Sequence, residues 1–105
     1  MKRGDTQPPL KAKLYDLADE DFYHSDISVV VRHEGNKEVV VSSPIDDRDL
    51  QTGEVVYYWS KDGSDLPYTG TYQVEFEVNR PDGTTEHYPS DGYLTFTVEE
   101  TLNNL

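Results

Sequence analysis

The segment 72–79 alternates strictly between apolar and polar side chains, and this alternation constrains the fold more than any other feature. Its apolar members are Tyr72, Val74, Phe76 and Val78, and its polar members are Gln73, Glu75, Glu77 and Asn79. A period of two places the apolar side chains on one face of a β-strand and the polar ones on the other. The chain therefore needs an antiparallel sheet with one buried and one solvated face.

Short segments of the same kind recur along the chain, separated by turn residues. Predicted strands cover residues 10–17, 27–33, 38–43, 54–60, 72–79, 84–88 and 93–98. About seven antiparallel strands with this spacing are typical of an all-β, immunoglobulin-like β-sandwich. The stretches 44–53 and 61–70 are predicted to be loops, and in the last strand Leu94, Phe96 and Val98 are predicted to point inward.

A local motif before the alternating segment supports the sandwich. Gly70-Thr71-Tyr72-Gln73-Val74 resembles the start of immunoglobulin strand F, where a tyrosine hydroxyl bonds to backbone a few residues upstream. Val74 stands where such domains usually carry a cysteine. Trp59 is predicted to be the core tryptophan of a preceding strand.

The length of 105 residues suits one domain with a single core. We divide the chain into an N-terminal arm, 1–9, the β-sandwich domain, 10–98, and a C-terminal tail, 99–105. Pro8 and Pro9 hold the end of the arm extended. The tail is interpreted as frayed or dependent on a partner.

The formal net charge of −12 limits the classes of partner. Binding to nucleic-acid phosphates or to an anionic membrane surface requires local Lys and Arg, so neither nucleic acid nor a membrane is expected as a partner. Acidity keeps chains apart in solution, and it also fits a protein adapted to high salt, as in a halophilic host. The start of the chain lacks the apolar core of a secretory signal, and no stretch is apolar enough for a membrane helix.

No catalytic or cofactor motif is present, so the chain is predicted not to be an enzyme and to use no cofactor. His24, His33 and His87 stand alone in the sequence and are interpreted as ordinary surface or half-buried histidines. The acidic groups in 16–26 and 46–49 could bind calcium, but a solvated acidic loop is the preferred interpretation. No metal site is predicted.

Tyrosine is the residue type that stands out, with eight copies. Its side chain offers contact area at a small entropic cost, but it also favours sheet surfaces, and both interpretations stay open. Tyr58 is expected to point away from the core. The candidate partner-binding residues are Arg3, Asp5, Pro8, Pro9, Tyr58, Tyr68, Tyr88 and Tyr93. The tripeptide Arg3-Gly4-Asp5 matches an integrin-binding motif but is interpreted as part of the arm.

Several motifs occur in an order that resembles a known family. They are Arg3-Gly4-Asp5-Thr6, Pro8-Pro9-Leu10 and Leu14-Tyr15-Asp16, then Gly53-Glu54-Val55-Val56-Tyr57-Tyr58-Trp59, then Gly70-Thr71-Tyr72-Gln73-Val74-Glu75-Phe76-Glu77-Val78, and last Pro81-Asp82-Gly83 with Tyr88-Pro89-Ser90-Asp91-Gly92-Tyr93. Together they resemble the N-terminal domain of baseplate upper proteins of tailed phages, over about residues 3–98. The stretch 18–25 departs from the family pattern.

The resemblance implies a virion structural or assembly protein of a tailed virus, in the tail, baseplate or neck. Its partners would be other virion proteins, in several copies of a symmetric assembly, and its location would be the virion, assembled in the host cytoplasm. Two alternatives stay open: a capsid decoration protein, and a receptor- or carbohydrate-binding module on the virion surface.

Overall fold

A computed structural model describes residues 1–14, 24–45, 47–49, 52–89, 92–100 and 102. These residues form eight strands. They are β1 (Leu10–Lys13), β2 (Asp26–His33), β3 (Val39–Pro44), β4 (Asp47–Asp49), β5 (Glu54–Tyr57), β6 (Gly70–Asn79), β7 (Thr85–Tyr88) and β8 (Leu94–Val98). The strands pair into two antiparallel sheets, one of five strands and one of three. The predicted all-β sandwich is therefore confirmed.

The five-stranded sheet is organised around β6, its longest strand. β2 pairs along one edge of β6, and β3 lies outside β2. The opposite edge of β6 is shared: β8 pairs with residues 70–74 and β7 with residues 76–79. Val29 lies opposite Phe76, so the apolar faces of β2 and β6 coincide.

The three-stranded sheet has the order β1-β5-β4. Its strand β4 corrects the prediction that residues 44–53 form a loop, because Asp47–Asp49 pairs with β5. The sequence Asp47-Arg48-Asp49 has no apolar alternation, so it carried no strand signal. A backbone bond from the Gly53 amide to the Asp49 carbonyl, 2.8 Å, closes the turn that brings the two strands together.

The shared core lies between the two sheets. Its buried side chains come from both sheets and from the loops between them: Leu14, Ile27, Val29, Val31, Val41, Ile45, Val55, Trp59, Leu66, Tyr72, Val74, Phe76, Val78 and Val98. Trp59 reaches across to Phe96 of the other sheet, with ring centroids 5.7 Å apart. The predicted core position of Trp59 is confirmed.

Strand β8 is only partly covered by this core. Val98 is buried and Phe96 is half-buried, but Leu94 is 45% exposed. Leu94 thus lies on the same face of β8 as Phe96 and Val98, as predicted, but it is not buried in the core. The cover supplied by Trp59 reaches Phe96, and Leu94 lies one inward-facing position further along the strand.

Strands β1 and β5 also end earlier than expected. β5 stops at Tyr57 rather than residue 60, because the Ser60 amide bonds to the Asp65 carboxylate at 2.6 Å and leaves the sheet. β1 ends at Lys13, and Leu14 follows it as a buried residue outside the strand. The rest of the predicted span, 15–17, and the acidic stretch up to residue 23 lie outside the described residues.

The first residues of the chain pair with the end of β8. Lys2 forms a parallel bridge with Glu99, and the Arg3 amide donates to the Glu99 carbonyl at 2.7 Å. Salt bridges join Lys2 to Glu99 at 3.0 Å and Arg3 to Glu100 at 3.2 Å. The predicted arm and tail thus meet each other along one edge of the five-stranded sheet. Among the described residues, no helix is long and apolar enough to cross a membrane.

Candidate interaction surface

The start of β6 carries the predicted tyrosine corner. The Tyr72 hydroxyl donates to the Tyr68 carbonyl at 2.7 Å and accepts from the Tyr68 amide at 3.0 Å. Burial raises the pKa of Tyr72, whose ring stacks on Phe96 with centroids 5.4 Å apart. The corner is confirmed, and it holds the backbone of Tyr68 while the Tyr68 ring stays 38% exposed.

His33 joins the turn after β2 to the segment before β6. Its Nε2 lies 2.8 Å from the Thr69 carbonyl, and its Nδ1 lies 3.2 Å from the Asn36 amide. A carbonyl only accepts and an amide N–H only donates, so the two bonds together place the ring proton on Nε2. Both nitrogens are used to hold the fold, which fits the structural interpretation of this histidine.

Asp65 closes the loop that follows β5. Its carboxylate accepts bonds from the Ser60 amide, from the Ser60 hydroxyl at 3.1 Å, and from the Tyr57 hydroxyl at 3.2 Å. Burial, and then the charge of Asp65, raise the pKa of Tyr57. All three of these bonds to the Asp65 carboxylate position the loop.

The candidate partner residues of the arm make contacts within the chain. Arg3 pairs with Glu100, and the Asp5 carboxylate accepts from the Lys2 amide at 2.9 Å. The Pro8 carbonyl accepts a bond from the Trp59 indole at 2.9 Å. Pro9 follows as a half-buried residue. Arg3-Gly4-Asp5 is thus a docked turn, and its role toward a partner stays a prediction.

The four candidate tyrosines occupy different environments. Tyr58 is 59% exposed and points away from the core, as predicted, and a hydrogen bond to Asp47 raises its pKa. Tyr88 is half-buried and packs against the core. A hydrogen bond to Glu38 raises the pKa of Tyr68. Tyr93 is 48% exposed and borders a groove.

This Tyr93 groove lies on the solvated face of the five-stranded sheet and has a volume of about 140 Å³. Its lining residues are Val30, Arg32, Val39, Gln73, Glu75 and Tyr93. The Arg32 guanidinium carbon lies 5.3 Å from the centre of the Tyr93 ring. Arg32 also donates from Nε, at 3.0 Å, and from Nη2, at 2.6 Å, to the side-chain oxygen of Gln73.

Sequence reasoning found Tyr93 but missed the five other residues of the groove. The register pairs Arg32 with Gln73 and Val30 with Glu75, which places their side chains together on the outer face. The alternation in β2 and β6 shows that these residues face away from the core. It does not show which of them are neighbours, since that depends on the register.

His87 lies beside the groove, on β7. Its Nε2 is 3.4 Å from a Glu77 carboxylate oxygen and 3.8 Å from one of Glu75. All three side chains are partly exposed. Glu75 therefore belongs both to this cluster and to the groove.

No metal centre appears in the described part of the chain, where no three His, Asp or Glu side chains gather closely enough to hold an ion. Asp47 and Asp49 lie on β4, while Asp46 and the acidic residues 16–21 lie outside the described residues.

Comparisons with known proteins support the fold. No family model matches the chain, and no curated protein matches it in sequence. A similar solved structure is the crystal structure of CopC from Methylosinus trichosporium OB3b, with a TM-score of 0.58 and 17% sequence identity. The alignment covers 100% of this chain and 86% of that one. At this identity the likeness shows the immunoglobulin-like sandwich alone, and the resemblance to baseplate upper proteins stays a prediction.

Proposed function

We propose that this chain is a structural assembly module of a tailed-virus particle, in the tail, baseplate or neck. It works through protein–protein contacts and not through catalysis. Its partners are other virion proteins and further copies of itself in a symmetric assembly, and its location is the virion. The order of sequence motifs that resembles baseplate upper proteins supports this setting.

The observation that carries the proposal is the placement of two exposed tyrosines on the two outer faces of the sandwich. Tyr58 follows β5 of the three-stranded sheet and points away from the core, while Tyr93 borders the groove on the five-stranded sheet. Tyrosine is enriched at protein interfaces. A subunit that touches different neighbours on opposite sides needs two such patches.

The polar groups that could act in catalysis have structural roles instead, which favours a function in protein–protein contact. The imidazole of His33 and the carboxylate of Asp65 are both held by bonds that position loops. With a net charge of −12, copies of the chain repel one another at low ionic strength, and salt screens that repulsion. We therefore expect assembly to be favoured at high salt.

The test measures incorporation into particles. In gradient-purified particles from cells that produce the virus, an immunoblot should find the unmodified chain. A variant with Tyr58→Ser and Tyr93→Ser should fold normally, because both side chains are exposed, but it should be reduced about tenfold in the particles. The matched control, Tyr58→Phe with Tyr93→Phe, keeps both rings and should be incorporated.

Two outcomes would contradict the proposal. One is the absence of the unmodified chain from purified particles. The other is full incorporation of the double serine variant.

A further inference from the structure

The Tyr93 groove combines an aromatic ring, an apolar floor and hydrogen-bonding side chains of both kinds. We propose that it binds one residue of an uncharged carbohydrate. This goes beyond the assembly role, because it assigns a small ligand to a defined place on the solvated face of the five-stranded sheet. It also does not depend on that role, since the site lies within a single chain.

The polar side of the groove offers donors and an acceptor close together. Arg32 uses two of its five N–H groups on the Gln73 oxygen, so the remaining guanidinium donors and the Gln73 NH₂ group are directed by that contact. The Glu75 carboxylate can only accept. A sugar hydroxyl both donates and accepts, so a row of hydroxyls matches this mixture better than a purely acidic or basic ligand does.

These side chains are already held in position. The two bonds to Gln73 and the cation–π contact with Tyr93, 5.3 Å from the ring centre, hold the Arg32 guanidinium in position. Both residues are also fixed by the register of neighbouring strands, Arg32 opposite Gln73. A group that is ordered before binding loses less conformational entropy when the ligand arrives.

The apolar side suits the C–H face of a pyranose ring. Tyr93 is 48% exposed and Val39 is 52% exposed, and Val30 also lines the groove. Contact between this exposed apolar surface and an apolar ligand face favours binding, because both surfaces are removed from water. The groove thus has an apolar side and a side that forms hydrogen bonds.

Charge and volume define the ligand further. Arg32 and Glu75 give the groove lining one charge of each sign, and the whole chain carries −12, so phosphorylated, sulfated and sialylated sugars are disfavoured. A volume of about 140 Å³ holds one monosaccharide rather than an oligosaccharide. A ligand of that size on an open surface should bind with a dissociation constant on the order of 1 mM.

The test is an NMR titration of the isolated, isotope-labelled chain with glucose, galactose, mannose and N-acetylglucosamine. At least one sugar should cause saturable shifts that centre on the amides of Arg32, Gln73 and Glu75. Tyr93→Ala should weaken binding at least about tenfold. Tyr58→Ala removes an equally exposed tyrosine from the other sheet and should leave binding unchanged.

Three results would overturn the proposal. They are the absence of saturable shifts with all four sugars, equal binding by the Tyr93→Ala variant, and tighter binding of sialic acid than of the neutral sugars. Because the titration uses the chain alone, its failure would leave the assembly proposal standing, and failure to find the chain in particles would leave the sugar site standing.

Discussion

The two sheets of this sandwich are held together in different ways. The five-stranded sheet contains β6, a ten-residue strand in which every second side chain is buried between Tyr72 and Val78. The three-stranded sheet has strands of only three or four residues. The segments next to it are held by individual hydrogen bonds, such as those from Trp59 to Pro8 and from Ser60 to Asp65. Apolar burial dominates the first sheet, and side-chain hydrogen bonds at strand ends position the second.

A substitution in the centre of the five-stranded sheet should have the largest effect on stability. Phe76 is buried and lies opposite Val29. Phe76→Ala should reduce the free energy of unfolding by about 3–5 kcal/mol, because it removes buried apolar surface and leaves a cavity. Urea denaturation measures this change. A loss under about 1 kcal/mol would mean that β6 is not the centre of the core.

The next effect concerns the tyrosine corner. Tyr72→Phe keeps the buried ring but removes the hydroxyl that bonds to both the amide and the carbonyl of Tyr68. Leaving these backbone groups without their partner should cost about 1–3 kcal/mol. The control is Tyr58→Phe, at an exposed position, which should change stability by less than about 0.5 kcal/mol. Equal effects of the two changes would show that the corner is not stabilising.

A smaller effect is expected at the loop beside the three-stranded sheet. Asp65→Ala removes the acceptor for Ser60 and Tyr57 and should cost about 1–2 kcal/mol, since the carboxylate is partly exposed. The amides of β5 should then exchange with solvent faster than before. Asp62→Ala, which removes an exposed carboxylate bonded only locally to Ser64, is the control and should change β5 less. If both variants had the same effect on β5, Asp65 would not be holding the end of that strand.

The smallest effect is at the paired chain ends. A hydrogen bond from Lys2, and then its charge, lower the pKa of Glu99 in the folded chain. The contribution of this pair is therefore present above the unfolded pKa of the carboxyl group and is lost as pH falls through the lower, folded value. Glu99→Gln should thus destabilise slightly at neutral pH, and the difference should vanish in acid and shrink in high salt. A difference that does not depend on pH would contradict the ion pair.

The sequence predicted the five-stranded sheet better than the three-stranded one, for a physical reason. Residues 72–79 and 27–33 carry the period-two burial signal themselves, so their strands and inward faces could be inferred without knowing what they pack against. The tyrosine corner was also readable, because it joins residues only four apart in the chain.

Features that depend on distant partners could not be inferred. Strand β4 exists because Asp47–Asp49 pairs with β5, although its residues are charged. Docking of Pro8 depends on Trp59, which is 51 residues away. The Tyr93 groove depends on a register that brings Arg32 beside Gln73, 41 residues further along. Alternation alone specifies the face of each side chain and leaves its neighbours open.

Native-state hydrogen exchange of the individual backbone amides tests the contrast between the sheets most directly. The paired amides of β2 and β6 should exchange only through global unfolding, whereas those of β1, β4 and β5 should exchange through local opening with smaller free energies. Equal protection in both sheets, or stronger protection in the three-stranded one, would contradict the account.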